Sequence, residues 1–112
     1  MKLDKDSPEL QALYKNACGV PFEICKIAGK AMAVSKEVVG YGNKNLVTDT
    51  AISALMFESA FLGAKFNVYI NLKYIKDERF IEETHKVLSG LEDTISKQKE
   101  DVLHSSEEVI TK

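Results

Sequence analysis

The 112-residue chain has few of the residues that build cross-links, metal sites or membrane spans. It contains two cysteines, two prolines and two histidines. It also lacks an uninterrupted apolar run near the roughly 18 residues that a transmembrane helix needs, so we expect no membrane span. The N-terminal stretch MKLDKDSPEL is polar and does not resemble a secretory signal. These absences predict a cytoplasmic protein.

The two cysteines, Cys18 and Cys25, are seven residues apart. On one continuous helix they would share a face but lie about 10 Å apart. That distance is too long for an unstrained disulfide, although a turn at Gly19 would change it. No further cysteine or histidine stands at zinc-ligand spacing. We therefore predict two reduced, buried thiols and no metal site.

The charge pattern argues against a nucleic-acid partner. The net charge is -2, and no cluster of lysine and arginine residues stands out. Apolar residues make up 45% of the chain and charged residues 29%, which is typical of a globular protein. We predict a single domain over residues 1–112. A domain of this size buries only about two-thirds of its unfolded surface, so burial in an oligomer would help it.

The periodicity is helical throughout. No Asn-Gly or Asp-Gly pair lies between alternating runs, so the sequence predicts no β-hairpin. Asp6 or Ser7 can cap a first helix that has Pro8 in its first turn. Pro21 lies inside this pattern and predicts either a kink or a break followed by a short extra helix. The predicted fold is all-α, an antiparallel up-and-down bundle of long helices.

The next helix is predicted to start at Thr48, which can act as its N-cap. Asp49 would then lie in the first turn, where the helix dipole favours a carboxylate. Stabilisation of the helix start would by itself explain an acidic residue at this position. The helical pattern runs to about Ile75, and Asp77 can cap a last helix with one apolar stripe.

Small and amide side chains distinguish the middle helix. Ala60 and Gly63 would let another helix approach closely, in this chain or in another subunit. Asn67 and Asn71 lie four residues apart among apolar neighbours and need hydrogen-bond partners if they are buried. The two amides could form hydrogen bonds with each other, with a helix carbonyl or with a partner chain.

Two separated motifs resemble the cyclodeaminase/cyclohydrolase family of folate enzymes. The matching residues, in family order, are Gly42-Asn43-Lys44-Asn45, Thr48-Asp49, Gly63-Ala64 and Asn67-Val68-Tyr69-Ile70-Asn71-Leu72. The upstream stretch ELQALYKNACGVPFEICKIA is similar too, so the resemblance covers about residues 9–72.

The resemblance implies an all-helical homodimer that acts on a tetrahydrofolate derivative without a metal. The implied reactions are ring closure of 5-formiminotetrahydrofolate with loss of ammonia, and hydrolysis of 5,10-methenyltetrahydrofolate to the 10-formyl form. Asp49 is then the expected catalytic acid or base. The expected substrate-binding residues are Asn43, Asn45, Thr48, Asn67 and Asn71.

The sequence departs from this family in length. Family members are nearly twice as long, and their N-terminal part carries a glycine-rich P-G-G-G-S segment that is missing here. The chain therefore looks like the C-terminal portion of a cyclodeaminase-like domain. The alternative function is a non-catalytic helical oligomerisation module derived from the same family.

Overall fold

Three long helices form the computed structural model, which describes residues 6–112. Helix α1 spans Pro8–Val39, α2 spans Lys44–Leu72 and α3 spans Glu78–Thr111. The connections at residues 40–43 and 73–77 are short, so consecutive helices run antiparallel. The predicted all-α bundle is confirmed, with no strand anywhere in residues 6–112.

The caps of α1 and α3 follow the sequence prediction. The Ser7 hydroxyl accepts a hydrogen bond from the Leu10 N–H at 3.3 Å, and Pro8 occupies the first turn. The Asp77 carboxylate accepts one from the Phe80 N–H at 3.1 Å. These side chains satisfy backbone donors that have no partner within their own helices.

Helix α1 runs through Pro21 without a break, so of the two predicted outcomes the break with a short extra helix is wrong. Proline in a helix interior costs about 3 kcal/mol relative to alanine. Pro21 is buried, on the same side of α1 as the buried Cys18 and Cys25. Burial of this apolar face favours one continuous helix and offsets the local cost of the proline.

The N-cap of α2 is Asn43 and not Thr48, so the helix begins five residues earlier than a cap at Thr48 predicts. Asn43 has extended backbone angles (φ -77°, ψ 111°), and its side-chain oxygen accepts a hydrogen bond from the Asn45 N–H at 2.9 Å. Asp49 therefore lies in the second turn and not in the first turn as predicted. The helix dipole acts mainly within the first turn, so it favours the Asp49 carboxylate less than predicted.

The core is built around one buried row of side chains from each helix. Members of each row recur at seven-residue steps, the spacing of helices that pack side by side. The rows are Cys18, Cys25, Met32 and Val39 on α1; Val47, Ala54, Phe61 and Val68 on α2; and Leu88, Ile95 and Val102 on α3. Beside this core, Lys65 pairs with Glu92 and Lys99 pairs with Glu58, which ties α2 to α3.

The two thiols are free and buried, as predicted. The Cys25 sulfur lies 3.7 Å from the Phe61 carbonyl oxygen, and the Cys18 sulfur lies 4.0 Å from the Val68 carbonyl oxygen. Burial raises the pKa of the Cys25 thiol to about 11 and shifts the pKa of Cys18 upward as well. Neither sulfur is therefore expected to act as a nucleophile at neutral pH.

The close helix crossing predicted at Ala60 and Gly63 is not formed within the described residues. A Cβ atom added at Gly63 would have no neighbour within 4 Å, and Ala60 is exposed. The close approach occurs at Gly29, where an added Cβ would lie 3.2 Å from a Leu91 methyl group. Glycine thus serves the α1–α3 contact, whereas Ala60 and Gly63 of α2 face outward.

We call the outward side of α2 its open face. It consists of Ile52, Met56, Ala60, Gly63, Asn67 and Ile70, which lie on one side of the helix at three- and four-residue steps. All six are exposed, and the relative exposure of Met56 reaches 64%. The open face carries no ionisable side chain. Such a surface is unusual on a helix that faces water on that side.

Helix α2 is also long and apolar enough to cross a bilayer when length and composition alone are considered. Its most apolar 18-residue window has a mean hydropathy of 1.3, and 22% of that window is buried in the bundle. A single helix of this kind is weak evidence for a membrane span, because helices in the cores of soluble proteins meet the same criterion. The prediction of no membrane span stays a prediction.

The Phe61→Ala substitution tests the core directly. Phe61 is fully buried, so we expect its truncation to lower the free energy of unfolding by about 3–5 kcal/mol. Urea unfolding followed by circular dichroism measures the change. The matched control is Ile110→Ala on the exposed surface of α3, which should cost less than about 0.5 kcal/mol. Equal losses in both variants would contradict the assigned core.

The buried thiols give a pH prediction. The Cys25 thiol has a pKa of about 11 in the folded chain, so the unfolded chain loses this proton at lower pH than the folded chain does. Stability should therefore fall as the pH rises from about 9 towards 11, and should not change through this group below pH 8. Labelling with a thiol reagent at pH 8 should require unfolding, and rapid labelling of the native chain would contradict the burial.

Candidate functional site

Asp49 lines an open groove of about 380 Å³ between α1 and α2. It is the one ionisable residue among the nine that form the groove. The other eight are Ala31, Val34, Ser35, Val38, Leu46, Thr50, Ser53 and Phe57. The groove therefore combines a single carboxylate with a largely apolar wall.

The helical repeat of α2 explains this placement. Leu46, Thr50, Ser53 and Phe57 follow one another at steps of three or four residues, so they share the side of α2 next to α1. Asp49 lies at the outer edge of that side and is exposed. Its carboxylate thus borders the groove on one side and the open face of α2 on the other.

Two of the three hydroxyl groups in the groove, those of Ser35 and Thr50, are oriented by their own helices. The Ser35 hydroxyl donates to the Ala31 carbonyl at 3.1 Å, and the Thr50 hydroxyl donates to the Leu46 carbonyl at 2.8 Å. With their protons engaged, both oxygens can only accept further hydrogen bonds. Together with the carboxylate they suit a flat ligand that presents N–H donors or positive charge.

Three of the predicted binding residues lie at the same end of α2 as Asp49. Asn43 uses its side-chain oxygen for the helix cap, while Asn45 and Thr48 are exposed. None of the three lines the groove. Consecutive helix positions point about 100° apart, so Thr48 does not face the same way as Asp49.

The other two predicted residues lie at the far end of α2. Asn67 and Asn71 are about 27 and 33 Å from Asp49 along the helix axis, at ~1.5 Å per residue. The Asn71 side-chain amide donates to the Asn67 carbonyl at 2.8 Å, which confirms the helix-carbonyl interpretation for Asn71. Within one chain, the structure does not bring these amides to the same ligand group as Asp49.

Sequence reasoning missed the α1 wall of the groove, formed by Ala31, Val34, Ser35 and Val38. A signal for it was present in the sequence. Besides its buried row, α1 carries a second apolar row at seven-residue steps, and this row is exposed. Its large members are Leu13, Val20, Ile27 and Val34.

The described residues contain no group of three or more His, Cys, Asp or Glu side chains that could hold a metal ion. The chemistry available at the groove is therefore that of a carboxylate, hydroxyl oxygens and apolar contact. A carboxylate in such a setting can bind a cation or transfer a proton.

Comparisons with known proteins place these residues in a family context. The family model described as Formiminotransferase-cyclodeaminase matches residues 2–90. The chain is 32% identical to mouse formimidoyltransferase-cyclodeaminase over 99 residues, which are 81% of this chain and 18% of that protein. It is 31% identical to a methenyltetrahydrofolate cyclohydrolase from Methylorubrum extorquens over 83 residues, which are 74% of this chain and 40% of that protein.

A solved structure agrees with the sequence matches. The crystal structure of formiminotetrahydrofolate cyclodeaminase from Thermotoga maritima superposes with a TM-score of 0.87 at 32% identity. The match covers 95% of this chain and 54% of that chain. The chain thus spans about half of this solved relative, and a smaller share of the two relatives above.

The Asn43→Ala substitution tests the cap that positions the groove. Loss of the side-chain acceptor should lower the free energy of unfolding by about 0.5–2 kcal/mol, whereas Asn43→Asp should keep most of the stability. Asn45→Ala is the matched control, because this side chain is exposed and only its backbone joins the cap. Denaturant unfolding of the three variants measures whether Asn43→Ala loses the most stability. A cap at Thr48 would instead make Thr48→Ala the costly change.

Proposed function

We propose a function from one premise: this chain belongs to the formiminotransferase-cyclodeaminase family. We infer that it carries the Asp49 part of a site for one-carbon derivatives of tetrahydrofolate. The reaction assigned to it is ring closure of 5-formiminotetrahydrofolate with release of ammonia, hydrolysis of 5,10-methenyltetrahydrofolate to 10-formyltetrahydrofolate, or both.

The observation that carries the proposal is the lone carboxylate in an apolar groove. The one-carbon bridge of 5,10-methenyltetrahydrofolate bears a delocalised positive charge beside a flat ring system. The aliphatic wall of α1 offers contact for such a ring, and Asp49 offers the opposite charge. Expulsion of water by the ring would strengthen this attraction.

Each reaction needs a proton taken up and returned, which one carboxyl group can perform. In the hydrolysis, Asp49 takes a proton from the water that adds to the bridge carbon and returns it to N5 as the N5–carbon bond breaks, while the hydroxyl proton passes to solvent when the formyl carbonyl forms. In the ring closure, N10 of the folate attacks the formimino carbon, and Asp49 takes the proton of N10 and returns it to the nitrogen that departs as ammonia when its bond to that carbon breaks. A positioned acid or base of this kind typically contributes about 10²–10⁴-fold to the rate.

We assign supporting roles to the amide and hydroxyl residues near Asp49. Asn43 holds the start of α2 through its cap and thereby positions the carboxylate. Asn45 and Thr48 are exposed at the same end of α2 but outside the groove, where they can donate hydrogen bonds to a substituent of the folate that extends beyond it. Asn67 and Asn71 are too distant to do so within the same chain.

A second function is favoured by the short match to the solved relative. The chain spans 54% of that cyclodeaminase, and its groove is open to solvent. A chain of this kind could serve as a helical assembly module that lacks the chemistry. Turnover and folate binding by the purified chain separate this function from the first.

The Asp49→Asn substitution tests the proposed chemistry. The purified chain should accelerate the loss of the near-ultraviolet absorbance of 5,10-methenyltetrahydrofolate, and Asp49→Asn should lower kcat/KM by about 10²–10⁴-fold because the amide cannot exchange the proton. Asp93→Asn, an exposed acid on α3, is the matched control and should retain the wild-type rate. If the wild-type chain leaves the background rate unchanged, the enzymatic proposal fails for this chain.

A further inference from the structure

A second groove, larger than the one at Asp49, runs between α1 and α3. We call it the α1–α3 groove. Its volume is about 800 Å³, and on α3 it extends from Lys86 to Gln98. At ~1.5 Å per residue, this stretch of helix is about 18 Å long. No residue of α2 lines the groove, so it is separate from the site described above.

Every ionisable side chain that lines the α1–α3 groove is a lysine. These residues are Lys26 and Lys30 on α1 and Lys86 on α3. Lys26 pairs with Glu23 at 3.3 Å. Lys30 and Lys86 are exposed, and neither has an ion-pair partner within residues 6–112. The net charge of the chain is -2, so the positive rim is a local feature of this groove.

The walls between these lysines are small or apolar. They include Gly29, Ala33, Val87, Gly90 and Leu91. The relative exposure of Val87 is 44%, and a Cβ atom added at Gly90 would have no neighbour within 4 Å. Removal of this apolar surface from water would be favourable. The complementary surface is therefore an apolar stripe with acidic residues beside it.

We propose that the α1–α3 groove binds an acidic amphipathic helix of a partner protein. Lysines stand on both walls, so acidic residues on both sides of the stripe would each meet a positive charge. The small residues Gly90 and Ala33 let the partner helix approach to the usual interaxial distance of about 8–10 Å. This interaction is independent of the reaction assigned to Asp49.

The hydrogen bonding of the walls favours a helix over an extended peptide. The backbone N–H and C=O groups of α1 and α3 bond to each other within each helix. An extended segment would find no free backbone partners there, whereas a helix satisfies its own backbone and presents one apolar stripe. A nucleic acid would supply negative charge but no apolar stripe for the walls.

One polar atom at the end of the groove also suits a docked side chain. The Gln98 side-chain oxygen is buried and has no hydrogen-bond partner in the part of the chain that the structure describes. The Thr94 hydroxyl donates to the Gly90 carbonyl at 3.0 Å, so its proton is already engaged. A hydroxyl or amide donor on the partner helix would satisfy the Gln98 oxygen.

Synthetic peptides test the binding without any need for turnover. The probe is a fluorescein-labelled peptide of about 15 residues with leucines in one helical stripe and glutamates on both sides of it. Fluorescence anisotropy should show saturable binding to the full chain. A peptide of scrambled order and one with lysine in place of glutamate should each bind at least about tenfold more weakly, since they lack the stripe or the charge.

Variants of the chain test the location. Lys30→Glu combined with Lys86→Glu should raise the Kd by at least about tenfold, whereas Lys73→Glu, an exposed lysine outside the groove, should change it less than about twofold. Gly90→Trp should also raise the Kd by about tenfold, because the indole occupies the groove. Circular dichroism checks that each variant keeps its helical fold.

Four outcomes would overturn the docking site. They are no saturable binding of the glutamate peptide, equal binding of the scrambled peptide, an equal loss in Lys73→Glu, and an unchanged Kd in both groove variants. Failure of the folate assay at Asp49 would leave these measurements unaffected, so the two proposals fail separately.

Discussion

The packing of α1 on α2 through Cys18 and Cys25 is the contact on which the rest of the structure depends. Both thiols lie against backbone carbonyls of α2, at 4.0 Å from Val68 and 3.7 Å from Phe61. Such small side chains let the two helices come close and leave Phe61 fully enclosed. The same pairing fixes the α1 wall opposite Asp49, so the core contact also sets the shape of the groove.

Much of the fold was predictable because its signals are local. Ser7 and Asp77 cap their helices as the sequence indicates, and the helical periodicity predicts the all-α bundle. One error arose where burial overrides local preference, and the other arose where local preference allows two answers. Pro21 stays helical because its face is buried, and Asn43 starts α2 ahead of Thr48 because either residue has cap chemistry and only the folded chain shows which one is used.

The candidate site was less predictable than the fold. The capping pattern put Asp49 near the start of α2, but the groove itself needs the opposing wall of α1, which only the folded bundle reveals. The family resemblance grouped Asp49 with Asn67 and Asn71, whereas the helix separates them by about 27–33 Å.

The most direct measurement is the melting temperature of the purified chain titrated with 5-formyltetrahydrofolate, a stable one-carbon folate. A ligand that binds the folded state at about 100 times its Kd adds roughly 2.7 kcal/mol of stability. We predict a saturable rise in Tm for the wild type that is lost in Asp49→Ala and retained in the surface variant Asp93→Asn. No shift at saturating ligand, or an equal shift in Asp49→Ala, would contradict a folate site at Asp49.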